Sequence, residues 1–201
     1  MQLQLLSALP MLETPDLILR QLVASDAKDI FAYASNPHVS RYVFWEPHRT
    51  ILDSRSMIRY MQQKMKMGEP SSWGIVLKET QKVIGTIGFV EISHEHQCAE
   101  VGYSLDERFW NHGYATQALA RVLNFAFLQL QCNRVEAFFN VQNPASGRVM
   151  EKNGMHYEGT MKEKYYCKGE YIDVSCYALT RGEYLSSLRE GSRSMRLDAP
   201  S

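Results

Sequence analysis

Three observations predict an α+β fold, a mixed, mostly antiparallel sheet of about seven strands with flanking helices. Apolar runs between residues 72 and 105 follow one another through short polar turns, the pattern of an antiparallel meander. Later runs alternate with helical patterns. Between the two regimes, Glu100–Gln129 (EVGYSLDERFWNHGYATQALARVLNFAFLQ) reads as a strand, a tight loop around Gly113 and a long helix. A doubly wound dinucleotide-binding sheet fits poorly, because its GxGxxG turn needs three glycines and this loop has one.

In chain order, Leu17–Leu22 (LILRQL) is the first strand. Ser25 resembles an N-cap for a helix through Ala34, which stops near Asn36-Pro37 because proline disfavours a helical predecessor. His38–Pro47 is rich in aromatics (Tyr42, Phe44, Trp45), and a second helix covers Asp53–Met67. The meander comprises Ser72–Lys78, Lys82–Ile92 and Cys98–Leu105, with turns at Glu79–Gln81 and His94–His96. The Gly113 helix places Ala115, Ala118, Leu119, Val122 and Ala126 on one face. A strand Arg134–Val141 and a short helix Ala145–Lys152 follow, with Gly154 in C-cap position. Strands Tyr157–Tyr165 and Tyr171–Leu179 complete the sheet. One domain over residues 1–190 is expected, and the polar, small-residue-rich stretch 191–201 reads as a disordered tail.

Composition narrows the function. The 22 Lys and Arg balance 22 Asp and Glu, so the protein lacks the general basic field that holds proteins to nucleic acid. No run approaches the roughly 20 apolar residues that span a bilayer. The N-terminal stretch MQLQLLSALPMLETP has no positive n-region and no small-residue cleavage site. Cys98, Cys132, Cys167 and Cys176 show neither CxxC nor zinc-type spacing, and free thiols in a reducing cytoplasm are the simplest reading. His94, Glu95, His96 and Cys98 read better as a polar hairpin turn than as a metal site, and no metal is expected.

The Gly113 loop carries the chemistry. A helix start offers unpaired backbone N–H groups and the positive end of the macrodipole to an anion. Gly113 lets the backbone approach a ligand with no Cβ in the way, and Ala115 keeps the first turn narrow.

Three segments then carry a resemblance. TPDLILRQLVASDAKDIFAYASNPHVSRYVFW, EVGYSLDERFWNHGYATQAL and NVQNPASGRVMEKNGMHYEG lie in order across most of residues 14 to 180. They resemble the GCN5-related N-acetyltransferase (GNAT) superfamily, and within it the ribosomal-protein N-terminal acetyltransferase-like (RimJ/RimL-type) branch. The second segment looks like the family's acetyl-CoA loop, Q/R-x-x-G-x-G/A, with Trp110 at the position of Gln or Arg, as is common in that branch. The resemblance implies acetyl-CoA as co-substrate. Its pyrophosphate would sit on the backbone of Asn111, His112, Gly113, Tyr114, Ala115 and Thr116. The family's fourth and fifth strands splay into a cleft, where backbone near Ser104 and Leu105 would bind the pantetheine arm. His112 is either a phosphate contact or a solvent-exposed loop residue.

Acetyl transfer needs a neutral amine, a polarised thioester carbonyl and a stabilised leaving thiolate. Glu100, at the start of the splayed strand, is the candidate base or water-mediated proton acceptor; the alternative is a surface Glu paired with Lys or Arg. The wider family's thiolate-protonating Tyr is replaced by Met150, which cannot donate. Ser146, three residues after Asn143, is the substitute, although a first-turn Ser also satisfies backbone N–H groups. Asn143 either fixes the cofactor arm or caps the helix. Tyr42, Phe44, Trp45 and Glu46 fall where the family walls its acceptor site, with packing as the alternative; Tyr165 and Tyr166 fall near where that fold closes over the acceptor and either line the pocket, one of them acting as an acid, or pack on the sheet, and they stay outside the catalytic set. The expected acceptor is a protein N-terminal α-amine, with a small amine (polyamine, amino sugar or toxic amine) as rival and a non-catalytic acyl-CoA sensor as a third class. Nucleic-acid and membrane partners are not expected. A homodimer stays open, with no particular residue arguing for it.

Overall fold

The computed structural model describes residues 6–197. Among the described residues, eight strands form one sheet in the order β1-β2-β3-β4-β5-β6-β8-β7. They are β1 (Leu12–Glu13), β2 (Leu17–Arg20), β3 (Ser72–Leu77), β4 (Val83–Ser93), β5 (Cys98–Leu105), β6 (Arg134–Asn140), β7 (His156–Cys167) and β8 (Glu170–Thr180). The helices are α1 (Ala27–Ala34), α2 (Pro37–Ser40), α3 (Ile51–Lys66), α4 (Tyr114–Leu128), α5 (Pro144–Lys152) and α6 (Arg181–Leu197). The expected mixed α+β architecture is thus observed, with the two-residue β1 as the extra strand. Neighbouring strands pair antiparallel except β5 with β6, which run parallel.

Strand residues feed two cores on opposite faces. Along β3, Ile75 and Leu77 join one core while Val76, between them, joins the other, as period-two alternation requires. The larger core sets Trp73 in T-shaped contact with Phe89 and Phe125 and includes Leu119 and Val122 of α4. Burying aromatic rings of this size dominates the folding energy, at roughly 25 cal/mol per Å² of apolar surface. The smaller core gathers Ile30 and Tyr33 of α1 with Ile58 of α3.

Three local expectations change. Ser25 is not the N-cap of α1: a 3-10 turn, Ala24–Asp26, precedes the helix, and Asp26 accepts the Val23 N–H at 2.8 Å while pairing with Arg20. Asp26 does this because its carboxylate accepts two charge-assisted bonds that a serine hydroxyl could not. Asn36-Pro37 ends α1 and also starts α2, with Asn36 accepting the His38 N–H at 3.0 Å and Pro37 in the first turn. Helix α3 begins two residues earlier than read, because Thr50 is its N-cap and the Asp53 carboxylate accepts the Thr50 N–H at 2.8 Å. At the other end, α6 continues to Leu197, into the segment read as a tail; residues 198–201 lie outside the described residues. A capping box starts α6: the Glu183 carboxylate accepts the Thr180 N–H at 2.8 Å, and Glu183 N–H returns to the Thr180 hydroxyl.

Candidate active site

The site is a fork in the sheet. Strands β5 and β6 pair only at Cys98–Arg134, Ala99–Val135 and Glu100–Glu136. Beyond that rung β5 stays with β4 as far as Leu105, and β6 stays with β8 as far as Asn140. The two inner edges therefore part, leaving backbone without a strand partner. Helix α5 roofs the opening: the Tyr103 hydroxyl donates to the Ser146 carbonyl at 3.0 Å, tying the β5 arm to the first turn of α5.

The glycine loop lies at the open end of β5. Gly113 is the N-cap of α4 in the left-handed region (φ +80°), and Asn111 shares that region at φ +62°. The Gly113 carbonyl accepts the first intrahelical bond, from Gln117 N–H at 3.0 Å. By helix geometry, the N–H groups of Tyr114, Ala115 and Thr116 have no acceptor within the helix. Side chains hold the loop in place. The Trp110 indole N–H donates to the Leu105 carbonyl at 2.8 Å, and His112 Nδ1 donates to the Trp110 carbonyl at 2.7 Å while its ring stacks on Tyr114. His112 is exposed, with Nδ1 and one ring face engaged within its own loop. The Leu105 carbonyl is taken by Trp110, and the Ser104 hydroxyl lies 3.2 Å from that of Thr86. Gln117 fastens the first turn of α4 to the β1–β2 loop through Asp16 at 2.6 Å and Thr14 at 2.9 Å.

Glu100 stands on the last paired rung of the fork. Strand register places it opposite Glu91 on one side and Glu136 on the other, three carboxylates in a row across β4, β5 and β6. Arg134 takes Glu136 at 3.0 Å and also pairs with Glu158. Among the described residues Glu100 has no such cation. Half-burial, then the charges of Glu136 and Glu91, push its carboxyl up to about 7. On this rung Glu136 is the carboxylate paired with an arginine, and half-buried Glu100 has no cation.

At the other arm, the Asn143 side-chain amide donates to Ser146 Oγ at 3.0 Å, and Asn143 makes no side-chain cap to the helix backbone. With its oxygen occupied by that donor, the Ser146 hydroxyl keeps its own proton for another acceptor. Met150 lies in the core, only 2% exposed, so the position of the family's Tyr does not face the fork. Past α5, Gly154 adopts φ +75°, and Asn153 donates to the Thr116 carbonyl at 3.3 Å, joining the ends of the two helices.

Sequence reasoning left Tyr165 aside, yet it belongs here. Burial, then Glu100, Glu136 and Glu91, raise its phenol above the ordinary tyrosine value, and Phe44 meets its ring edge-on at 5.1 Å. No sequence signal marks it, because it arrives through an irregular register of β7. Met161 faces Val174 and Tyr165 faces Ile172, so residues 162–164 bulge, with Glu163 at φ +49°. Tyr166 points elsewhere, to Tyr171, and is exposed. Of the aromatic segment, Trp45 packs against His48 and Arg41 lies over Tyr42. Among the described residues no group of three or more His, Cys, Asp or Glu is arranged to hold a metal, and no helix is long and apolar enough to cross a membrane. All four cysteines are free thiols.

A sheet that forks beyond its parallel β5–β6 pairing, with an open helix start on one arm and a carboxylate without a cation at the vertex, fits an α+β cleft enzyme of the acyl-transfer type. The chain belongs to the acetyltransferase (GNAT) domain family, whose model matches residues 16–156. It is 34% identical over 172 residues to the uncharacterized N-acetyltransferase YoaA of Bacillus subtilis (strain 168), covering 86% of this chain and 97% of that one. It is 24% identical over 171 residues to a spermidine N(1)-acetyltransferase of Vibrio cholerae, covering 85% and 96%. It is 33% identical over 104 residues to a ribosomal-protein-serine acetyltransferase of Escherichia coli (strain K12), covering 52% and 58%. The crystal structure of a GNAT-family acetyltransferase from Bacillus anthracis superimposes with a TM-score of 0.77 at 26% identity, covering 87% of this chain and all of that one.

Proposed function

We propose that this N-acetyltransferase moves the acetyl group of acetyl-CoA to a protein N-terminal α-amine, with Glu100 as the base. One observation carries the reading: Glu100 sits at the vertex of the fork, without a cation, and holds its proton up to about 7. An α-ammonium releases its proton near roughly 8, about one unit above that carboxylate, whereas a lysine-like amine near roughly 10 lies about three units above it. Proton transfer to Glu100 is thus well matched to an α-amine.

The cofactor follows the same geometry. The diphosphate of acetyl-CoA would take the free N–H groups of Tyr114, Ala115 and Thr116 in the turn set by Asn111, His112 and Gly113, with Trp110 fixing the loop. The pantetheine arm would run along the unpaired edge of β5 toward Ser104 and Leu105. The amine nitrogen then attacks the thioester carbon, its proton passes to the Glu100 carboxylate directly or through water, and the C–S bond breaks. The Ser146 hydroxyl, oriented by Asn143, donates to the departing sulfur. The proton held by Glu100 returns through water to the sulfur, which completes the thiol and restores the carboxylate.

A second reading has its own support. Three carboxylates in a row suit an acceptor with more than one positive charge, and a spermidine acetyltransferase is among the relatives. Free-CoA release, measured with N-terminal peptides in one panel and polyamines and amino sugars in another, separates the two. Turnover confined to peptides supports the α-amine reading; turnover confined to polyamines replaces it.

A further inference from the structure

The start of α4 is held from outside the helix. Gly113, its N-cap, brings no side-chain cap, which leaves the first-turn N–H groups to a ligand. The next polar side chain, Gln117, turns to the β1–β2 loop, more than a hundred residues earlier in the chain. Its amide is used at both ends. Oε1 accepts the Thr14 hydroxyl at 2.9 Å and the Asp16 N–H at 3.4 Å, and Nε2 donates to the Asp16 carboxylate at 2.6 Å. A glutamate of the same length lacks the donor, and a lysine or arginine lacks the acceptor. The loop that Gln117 meets is itself fixed. The Thr14 hydroxyl accepts the Leu17 N–H at 3.0 Å, and the Thr14 N–H donates to the Leu17 carbonyl at 3.0 Å. Lys78, just past the end of β3, ties down the same turn. Its ammonium donates to the Thr14 carbonyl at 2.7 Å and pairs with Glu13 at 3.1 Å, and its N–H donates to the Asp16 carbonyl at 2.9 Å. A chain of hydrogen bonds thus runs from the end of β3 to the first turn of α4.

We infer that Gln117 is a positioning residue for acetyl-CoA: by locking the first turn of α4 to Thr14 and Asp16, it keeps the N–H groups of Tyr114, Ala115 and Thr116 aimed at the cofactor's diphosphate. The inference rests on the cofactor placement proposed above and adds the side chains that hold that helix start still. A helix end left to itself frays. Donors that are already aimed bind an anion without an ordering cost, so a lock at the fourth residue of α4 acts on affinity for the diphosphate. The pantetheine arm, along the edge of β5, lies outside its reach.

Calorimetric titration with acetyl-CoA tests the lock without an acceptor. Gln117→Leu, which removes donor and acceptor alike, should weaken binding at least about fivefold. Gln117→Glu loses the donor and sets two carboxylates together, and should weaken it at least about tenfold. Adding Asp16→Asn reverses the donor and acceptor at the same net charge as the parent. Affinity should then return to within about threefold of the parent. Undiminished affinity in Gln117→Leu overturns the inference. So does a double variant as weak as Gln117→Glu, because the added charge alone then accounts for the loss. A thioester without the diphosphate separates positioning from a general effect on the fold. In steady-state assays Gln117→Leu should raise the KM of acetyl-CoA at least about fivefold and leave that of S-acetylpantetheine within about twofold. Equal losses for the two thioesters overturn the positioning role. If the unaltered protein binds acetyl-CoA but acetylates no amine, the transfer reading falls and the titrations still decide Gln117.

Discussion

Glu100 and Glu136 face each other on the last rung that joins β5 to β6, and only Glu136 has an arginine. Two carboxylates that close cannot both ionise freely in a half-buried site, and the one without a cation keeps its proton longer. This asymmetry raises the Glu100 carboxyl to about 7, the range the proposed base needs to work near neutrality.

The first consequence is a pH profile. With acceptor saturating, kcat should climb about tenfold per pH unit below the Glu100 value and level off above it. The midpoint should fall at about 7, the value to which burial and its neighbours raise this carboxyl. Stopped-time product assays from pH 5 to 9 measure it; a profile flat down to pH 5 contradicts the assignment.

Stability should move in the opposite sense. The carboxyl rises from an ordinary 4.5 to about 7 in the fold, so between those values the folded state binds more protons than the unfolded chain. Stability from this group is full below the unfolded value and is lost as pH rises through the folded one. Glu100→Gln removes the penalty. Its Tm should match the parent's near pH 4 and exceed it at pH 8, read by thermal melts at both.

On the other arm, Ser146→Ala removes the proposed sulfur donor. A single lost donor to developing charge in a closed site costs about a hundred- to a thousandfold in kcat, and about tenfold is expected here because water reaches the exposed side of the fork. Asn143→Ala should give a smaller loss in the same direction, since it only orients Ser146. Acetyl-CoA binding, followed by calorimetry, should weaken little in either.

Gly113→Ala probes the loop. A Cβ there meets nothing within 4 Å, so the cost comes from the left-handed backbone at φ +80°. About 1 to 2 kcal/mol of stability should be lost, together with acetyl-CoA affinity as the first turn of α4 shifts. A variant with unchanged affinity would remove the loop from the proposed cofactor site.

Much of this was legible in the chain because it is local. The Gly113 loop and α4 are written in one contiguous run, and Gly154 after α5 is a single-residue signal at a helix end. The α6 capping box, Thr180 with Glu183, was equally local and went unread. Other features depend on register. Glu91 reaches Glu100 only after the irregularity between Phe89 and Glu91, and Glu136 arrives through a parallel crossover, so neither neighbour can be counted from spacing. Tyr165 enters by way of a bulge, and Phe44 meets it across more than a hundred residues of chain. Burial decided Met150, whose place in the core no spacing rule revealed.

The most direct test of Glu100 as the base is Glu100→Gln, assayed for acetyl-CoA binding and for transfer to an accepted α-amine over the same pH range. Binding should stay within about twofold, because the carboxylate lies at the vertex and not on the glycine loop. Turnover should fall about a hundredfold or more, and the inflection near neutrality should disappear with it. Undiminished turnover with the inflection intact would contradict the account and place the base elsewhere.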